Sequence, residues 1–131
     1  ALVGACGIAW LHVFPFSPRP GTPAARMPQI PGAVVKARAA SLRAAGAAQR
    51  VKMLDSRVGS HMSVLVEKPG EGRSPCFARV DLENVHSTAD AFASGEILPM
   101  RITGHDGERL QGQIDDKQLS AGPSISAEPS K

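Results

Sequence analysis

The side chains able to do chemistry are scattered along this chain. His12, His61, His86 and His105 lie on separate stretches, with no histidine pair at the helical spacing that holds a metal. His12 interrupts an apolar run, where it reads either as a hydrogen-bonded core residue or as a ligand or base. Cys6 and Cys76 stand far apart and outside any paired ligand spacing, so this chain alone offers no zinc or cluster site. A disulfide between them stays open beside the simpler reading of a reduced, cytosolic chain. Ser17 sits between Phe16 and Pro18 without a local base, Asp115-Asp116 reads as a solvated strand end, and Gly70-Glu71-Gly72 is too short for a phosphate loop. These residues support no reaction by themselves.

The charges point to binding. Up to Arg57 the chain carries Arg19, Arg26, Lys36, Arg38, Arg43, Arg50, Lys52 and Arg57 against Asp55 alone, a balance of about +7, whereas the remainder is about −4. A nucleic-acid or acidic partner is therefore better motivated for the first half. Aromatic residues make up only 4% of the 131 residues, so the expectation is one modest core. No apolar run reaches membrane-spanning length. The opening Ala1–Gly7 has neither an initiator Met nor the basic flank of a signal peptide, and the expectation is a C-terminal fragment of a longer protein.

The elements that would position these groups follow from the pattern. Ile8–Phe14 is apolar, β-branched and aromatic, bounded by Gly7 and Pro15, and predicts a strand buried on both faces. Pro15, Pro18, Pro20 and Pro23 then impose an ordered, extended loop. From residue 33 to about 58 a helical period appears, with Val35, Ala39, Leu42, Ala45 or Gly46, Val51, Leu54 and Val58 as its apolar stripe. Gly46 is expected to weaken or bend this linker helix, and Gly59 to stop it. Its basic face is either solvated or directed at RNA.

From residue 59 to 115 the signature is β. Strands are predicted at His61–Glu67, at Phe77–Leu82 with Ala78, Val80 and Leu82 inward, at Gly95–Thr103 and at Arg109–Ile114. Pro69–Gly72 reads as a turn, Pro99 as an edge or bulge, and His105-Asp106-Gly107 as a tight turn. Residues 84–94 read as a long connection and 116–131 as a disordered tail. The expected fold is a small antiparallel barrel or sandwich; an OB-like barrel is a type that binds single-stranded nucleic acid through basic groups and stacking aromatics. Only Phe77 and Phe92 stand ready to stack, and acidic groups outnumber basic ones across 58–114.

One run is more specific than any of these. His12-Val13-Phe14-Pro15-Phe16-Ser17-Pro18-Arg19-Pro20-Gly21-Thr22-Pro23-Ala24-Ala25 resembles the end of the radical-SAM domain of tRNA methylthiotransferases. The resemblance continues through Met27-Pro28-Gln29 and through Arg38, Leu42 and Arg43. It then enters a region similar to a TRAM domain at Val64–Glu67, Gly72–Ser74 and Gly95–Leu110.

The resemblance implies an α+β fragment: residues 1–32 as the last strand and loop of a partial β/α barrel, 33–58 as a linker helix, and 59–115 as the TRAM-like barrel. It implies an enzyme that adds a methylthio group to N6-threonylcarbamoyladenosine beside the tRNA anticodon. S-adenosylmethionine and two 4Fe–4S clusters would be its cofactors, and the anticodon stem-loop and the missing N-terminal domains its partners, in the cytoplasm. Branches acting on isopentenyladenosine or on a ribosomal protein are alternatives, as is a purely structural or protein-interaction module. The cluster-binding cysteine motifs are absent, so catalysis is not expected of this fragment. Phe14, Phe16 and Arg19 would border the cofactor pocket, and Lys68, Arg73 and Arg79 would contact RNA.

Overall fold

In the computed structural model, residues 2–83 and 92–115 are described, and they divide into two units, residues 1–53 and 54–131. Expectations for 84–91 and 116–131 lie outside the described residues.

The first unit is built on one long helix. A short helix α1 (Leu2–Ala5) is followed by a segment without helix or strand, a 3₁₀ turn at Pro23–Arg26 and the helix α2 (Gly32–Asp55). Thr22 caps the 3₁₀ turn, its Oγ1 accepting the Ala25 N–H at 3.3 Å while donating to the Arg19 carbonyl at 2.8 Å. The strand expected at Ile8–Phe14 is not formed: the segment has no regular secondary structure and enters no ladder among the described residues. A strand needs a neighbouring strand to take up its backbone donors and acceptors, and among the described residues the strands all lie between His61 and Ile114. The segment lies along α2 instead. Leu11 packs so closely on Gly46 that a Cβ there would stand 3.1 Å from Leu11 Cβ and Cδ2, and Trp10 takes the Arg50 guanidinium over its ring at 5.9 Å.

These contacts decide which face of α2 is covered. Ala39 and Gly46 are buried, but Leu42 and Val51, expected in the stripe, are exposed. An alanine-rich helix has too little contrast between faces for its sequence to fix the choice, so the chain that packs against it does. Gly46 is a point of close approach, and α2 runs through it without interruption.

The second unit is a closed five-stranded barrel, β1 (His61–Lys68), β2 (Glu71–Arg73), β3 (Arg79–Glu83), β4 (Ile97–His105) and β5 (Leu110–Ile114), in the order β1-β2-β3-β5-β4. Strict alternation sends Val64, Val66, Val80, Leu82, Leu98, Met100, Ile102 and Leu110 inward, each at most 4% exposed. Gly72 and Gly112 also face inward, and a Cβ at Gly72 would lie 2.5 Å from Val64 Cγ1. The barrel is narrow enough to be filled by aliphatic chains and two bare backbones.

Three expectations need correction. The stretch Pro69–Gly72 is not all turn, since Glu71–Arg73 pairs with both β1 and β3. The barrel is not wholly antiparallel: β3 and β5 run parallel, from Val80 opposite Leu110 to Glu83 opposite Gln113, as closing the ring in this order demands. Phe77 is not in β3, which begins at Arg79, although the predicted inward set Ala78, Val80 and Leu82 is buried. Pro99 lies within β4 opposite Ser63 of β1, and its carbonyl accepts the Asp115 N–H at 3.0 Å just past the end of β5. The strand's irregularity falls later, between Ile102 and Gly104.

The last residues of α2 belong with the barrel. Leu54 is fully buried, and Asp55 Oδ1 lies 2.8 Å from His105 Nε2. The Gly107 N–H donates to His105 Nδ1 at 3.0 Å, which leaves Nε2 as the donor to Asp55.

Candidate nucleic-acid interface

On its outer surface the barrel carries a cluster of ion pairs around β2. Glu71 is the hub: its carboxylate meets Lys68 at 3.3 Å, Arg109 at 3.1 Å and Arg79 at 3.9 Å. Arg109 also donates to Asp81 at 3.0 Å. Arg73 donates through Nε and Nη2 to the two oxygens of Glu67, at 2.6 and 3.0 Å. The Arg73 hydrogen bond holds the Glu67 carboxyl below its ordinary value, and Glu67 raises Arg73 in turn. Burial pushes the Glu71 carboxyl up, but Lys68 and Arg109 outweigh it and the group ends lowered.

Lys68, Arg73 and Arg79, the residues expected to meet RNA, therefore stand together on this face, each with a carboxylate partner. Arg57, in the turn after α2, and Arg101, on β4, have no ion-pair partner among the described residues. Arg101 stands opposite His61, whose Nε2 is 3.3 Å from Asp115. The sequence had placed Arg57 among the charges decorating the helix. Its separation from them shows only once the helix is seen to end at Asp55.

A cavity of about 280 Å³ is lined by Arg57, Ser60, His61, Met62, Pro75 and Cys76. Next to Cys76, the turn between β2 and β3 presents Phe77, 71% exposed. Ser74 anchors that turn: it is buried, and its N–H and Oγ both donate to the Ala78 carbonyl at 3.0 Å.

In the first unit a larger, mostly apolar groove of about 700 Å³ runs between the proline-rich loop and α2. Phe16 lines it together with Met27, Ile30, Val35 and Ala39. Phe14, 83% exposed, and Arg19 are not among the residues that line it.

No family model matches the chain. It is similar to the tRNA-2-methylthio-N(6)-dimethylallyladenosine synthase of Paracoccus denitrificans, 37% identical over 114 residues, which are 86% of this chain and 26% of that protein. It is also similar to the threonylcarbamoyladenosine tRNA methylthiotransferase MtaB of Rickettsia prowazekii, 35% identical over 74% of this chain and 22% of that protein. Its homologues are tRNA methylthiotransferases. The chain spans about a quarter of the length of these methylthiotransferases. The chain has two cysteines, Cys6 and Cys76, and among the described residues no three His, Cys, Asp or Glu side chains are grouped to hold a metal. No helix of the described residues is long and apolar enough to cross a membrane.

Proposed function

We infer that this chain is the C-terminal part of a cytoplasmic tRNA methylthiotransferase and that its barrel is an OB-like, TRAM-type module holding tRNA near the anticodon. What supports this reading most is the similarity to methylthiotransferases of both kinds over 86% and 74% of the chain, which cannot be reached without the barrel. The strand order, with its parallel β3–β5 pair, suits a barrel that offers loops and an outer face to an oligonucleotide. S-adenosylmethionine and the clusters belong, in this reading, to the rest of the enzyme, with Phe14, Phe16 and Arg19 at the border.

For the substrate we propose N6-threonylcarbamoyladenosine, on the His12–Ser17 form of the loop. The dimethylallyladenosine branch is the second reading, favoured by the 37% identity to the Paracoccus protein. Deleting the gene and analysing tRNA nucleosides by mass spectrometry decides between them: loss of the methylthio group from threonylcarbamoyladenosine supports the first, and loss from dimethylallyladenosine alone replaces it. RNA handling itself is tested by titrating an anticodon stem-loop with the chain at low and moderate salt. Binding that weakens with salt is expected, and no binding at either condition counts against a tRNA role.

A further inference from the structure

Phe77 occupies a backbone conformation that is costly for a phenylalanine. Its φ of 64° lies in the left-handed region, where it is the only non-glycine residue among those described. The turn has the form of a three-residue hairpin loop, Pro75-Cys76-Phe77, closed by the Ser74–Ala78 pair. In such loops the last position ordinarily belongs to glycine.

The surroundings hold the residue there. Its N–H donates to the Ser74 carbonyl at 3.0 Å, and its own carbonyl accepts from Arg73 Nη1 at 3.3 Å. Arg73 is itself fixed on Glu67. A glycine would make the same turn without strain, and the exposed ring adds nothing to the core. The fold by itself gives no reason for the aromatic side chain.

The cavity next to it supplies one. Pro75 and Cys76, immediately before Phe77, form part of its lining, and Arg57 another part. Ser60 Oγ donates to the Arg57 carbonyl at 2.6 Å, which fixes the turn that carries this guanidinium. An aromatic face held out by the backbone thus shares one loop with a pocket containing a cation that has no carboxylate partner among the described residues.

We propose that the β2–β3 turn and this cavity form a single-nucleotide subsite, in which an unpaired RNA base stacks on Phe77 and the adjoining phosphate is held by Arg57. The proposal rests on the RNA-binding reading above and sharpens it to two residues. A ring face accepts any base, so the subsite takes a single-stranded nucleotide without choosing its identity. A guanidinium suits a phosphate because it can donate two parallel hydrogen bonds. Arg73 is a positioning residue here: it braces the Phe77 carbonyl and does not meet RNA.

The test is titration of a fluorescently labelled anticodon stem-loop with the 131-residue chain and its F77G, F77W and R57Q variants over a range of salt, with thermal melting of each protein. F77G is expected to melt higher than wild type yet bind about 5- to 150-fold more weakly, the loss that one base–aromatic stack gives. F77W should bind at least as tightly as wild type. R57Q should reduce the slope of log affinity against log salt by about 0.7, one phosphate on a single strand. If F77G binds as well as wild type, if F77W binds as poorly as F77G, or if R57Q leaves the slope unchanged, the subsite is overturned while RNA binding stands. If wild-type chain binds no RNA at any salt, both readings fall together.

Discussion

Arg73 and Glu67 form a closed pair: Nε and Nη2 of the one reach the two carboxylate oxygens of the other at 2.6 and 3.0 Å. The pair links β1 and β2 at the bulge between Val66 and Lys68, and the same arginine braces the next loop through the Phe77 carbonyl. The electrostatics of the outer face follow the same logic. Its arginines and lysine are spent largely on carboxylates of the same barrel.

That arrangement predicts acid sensitivity. Glu67, Glu71 and Asp106 all titrate below their ordinary values of 4.5, 4.5 and 3.8, Asp106 because the Arg109 and Glu108 backbone N–H groups donate to it. The unfolded chain therefore takes up these protons before the folded one does. The stability they give is complete above the ordinary carboxylate range and is lost as pH falls through that range towards the lowered folded values. From these groups, melting temperature should be steady at neutral pH and begin to fall as pH drops below about 4.5. E67Q and D106N should melt lower at neutral pH and lose less on acidification; curves parallel to wild type would contradict the assignment.

Gly72 sets the width of the barrel. A Cβ there would meet Val64 Cγ1 at 2.5 Å and the Leu65 carbonyl oxygen at 2.8 Å, and the second cannot move without disturbing the β1–β2 ladder. Gly72→Ala is expected to destabilise the chain by about 1–3 kcal/mol or more in urea unfolding. Gly112→Ala meets only side-chain ends, at 3.2–3.4 Å, and should cost less. Equal losses would show that backbone crowding at Gly72 is not the cause.

How much of this was legible beforehand depended on whether the information was local. The alternation of Val80 and Leu82 gave the inward face of β3, and Asp106-Gly107 gave the β4–β5 turn, because each is set by neighbours in sequence. That Lys68, Arg79 and Arg109 share the carboxylate of Glu71 was not legible, because it joins residues brought together only by the pairing of β2, β3 and β5. The covered face of α2 was illegible for a similar reason, being selected by Trp10 and Leu11 from outside the helix. Phe77 was visible as an aromatic residue. Its left-handed backbone was not, since Ser-Pro-Cys-Phe-Ala contains none of the glycine or asparagine that announces such a position.

Gly46 offers a test of the packing along α2. Replacing it with alanine improves the intrinsic helix propensity by about 1 kcal/mol, but the new methyl stands 3.1 Å from Leu11 Cβ, which is tied to the backbone of its segment. The helix should hold while the segment lifts. Trp10, the single tryptophan, reports this: G46A is expected to leave helical circular dichroism unchanged or higher and to shift tryptophan emission to the red. An unaltered emission spectrum would mean that Leu11 accommodates the methyl by itself.

Glu71 gives the sharpest check on what the outer face does. One carboxylate occupies Lys68, Arg79 and Arg109, at 3.3, 3.9 and 3.1 Å. Glu71→Gln keeps the size of the side chain and part of its hydrogen bonding but removes the charge that holds these cations. If RNA passes over β2 and β3, the released groups can pair with phosphates, so affinity should rise several-fold at low salt and the salt dependence should steepen by about 0.7 for each new contact. The expected cost is a small drop in melting temperature. Should E71Q bind RNA with the same affinity and the same salt slope as wild type, the path of the RNA lies elsewhere on the barrel, and Lys68 and Arg79 are structural charges.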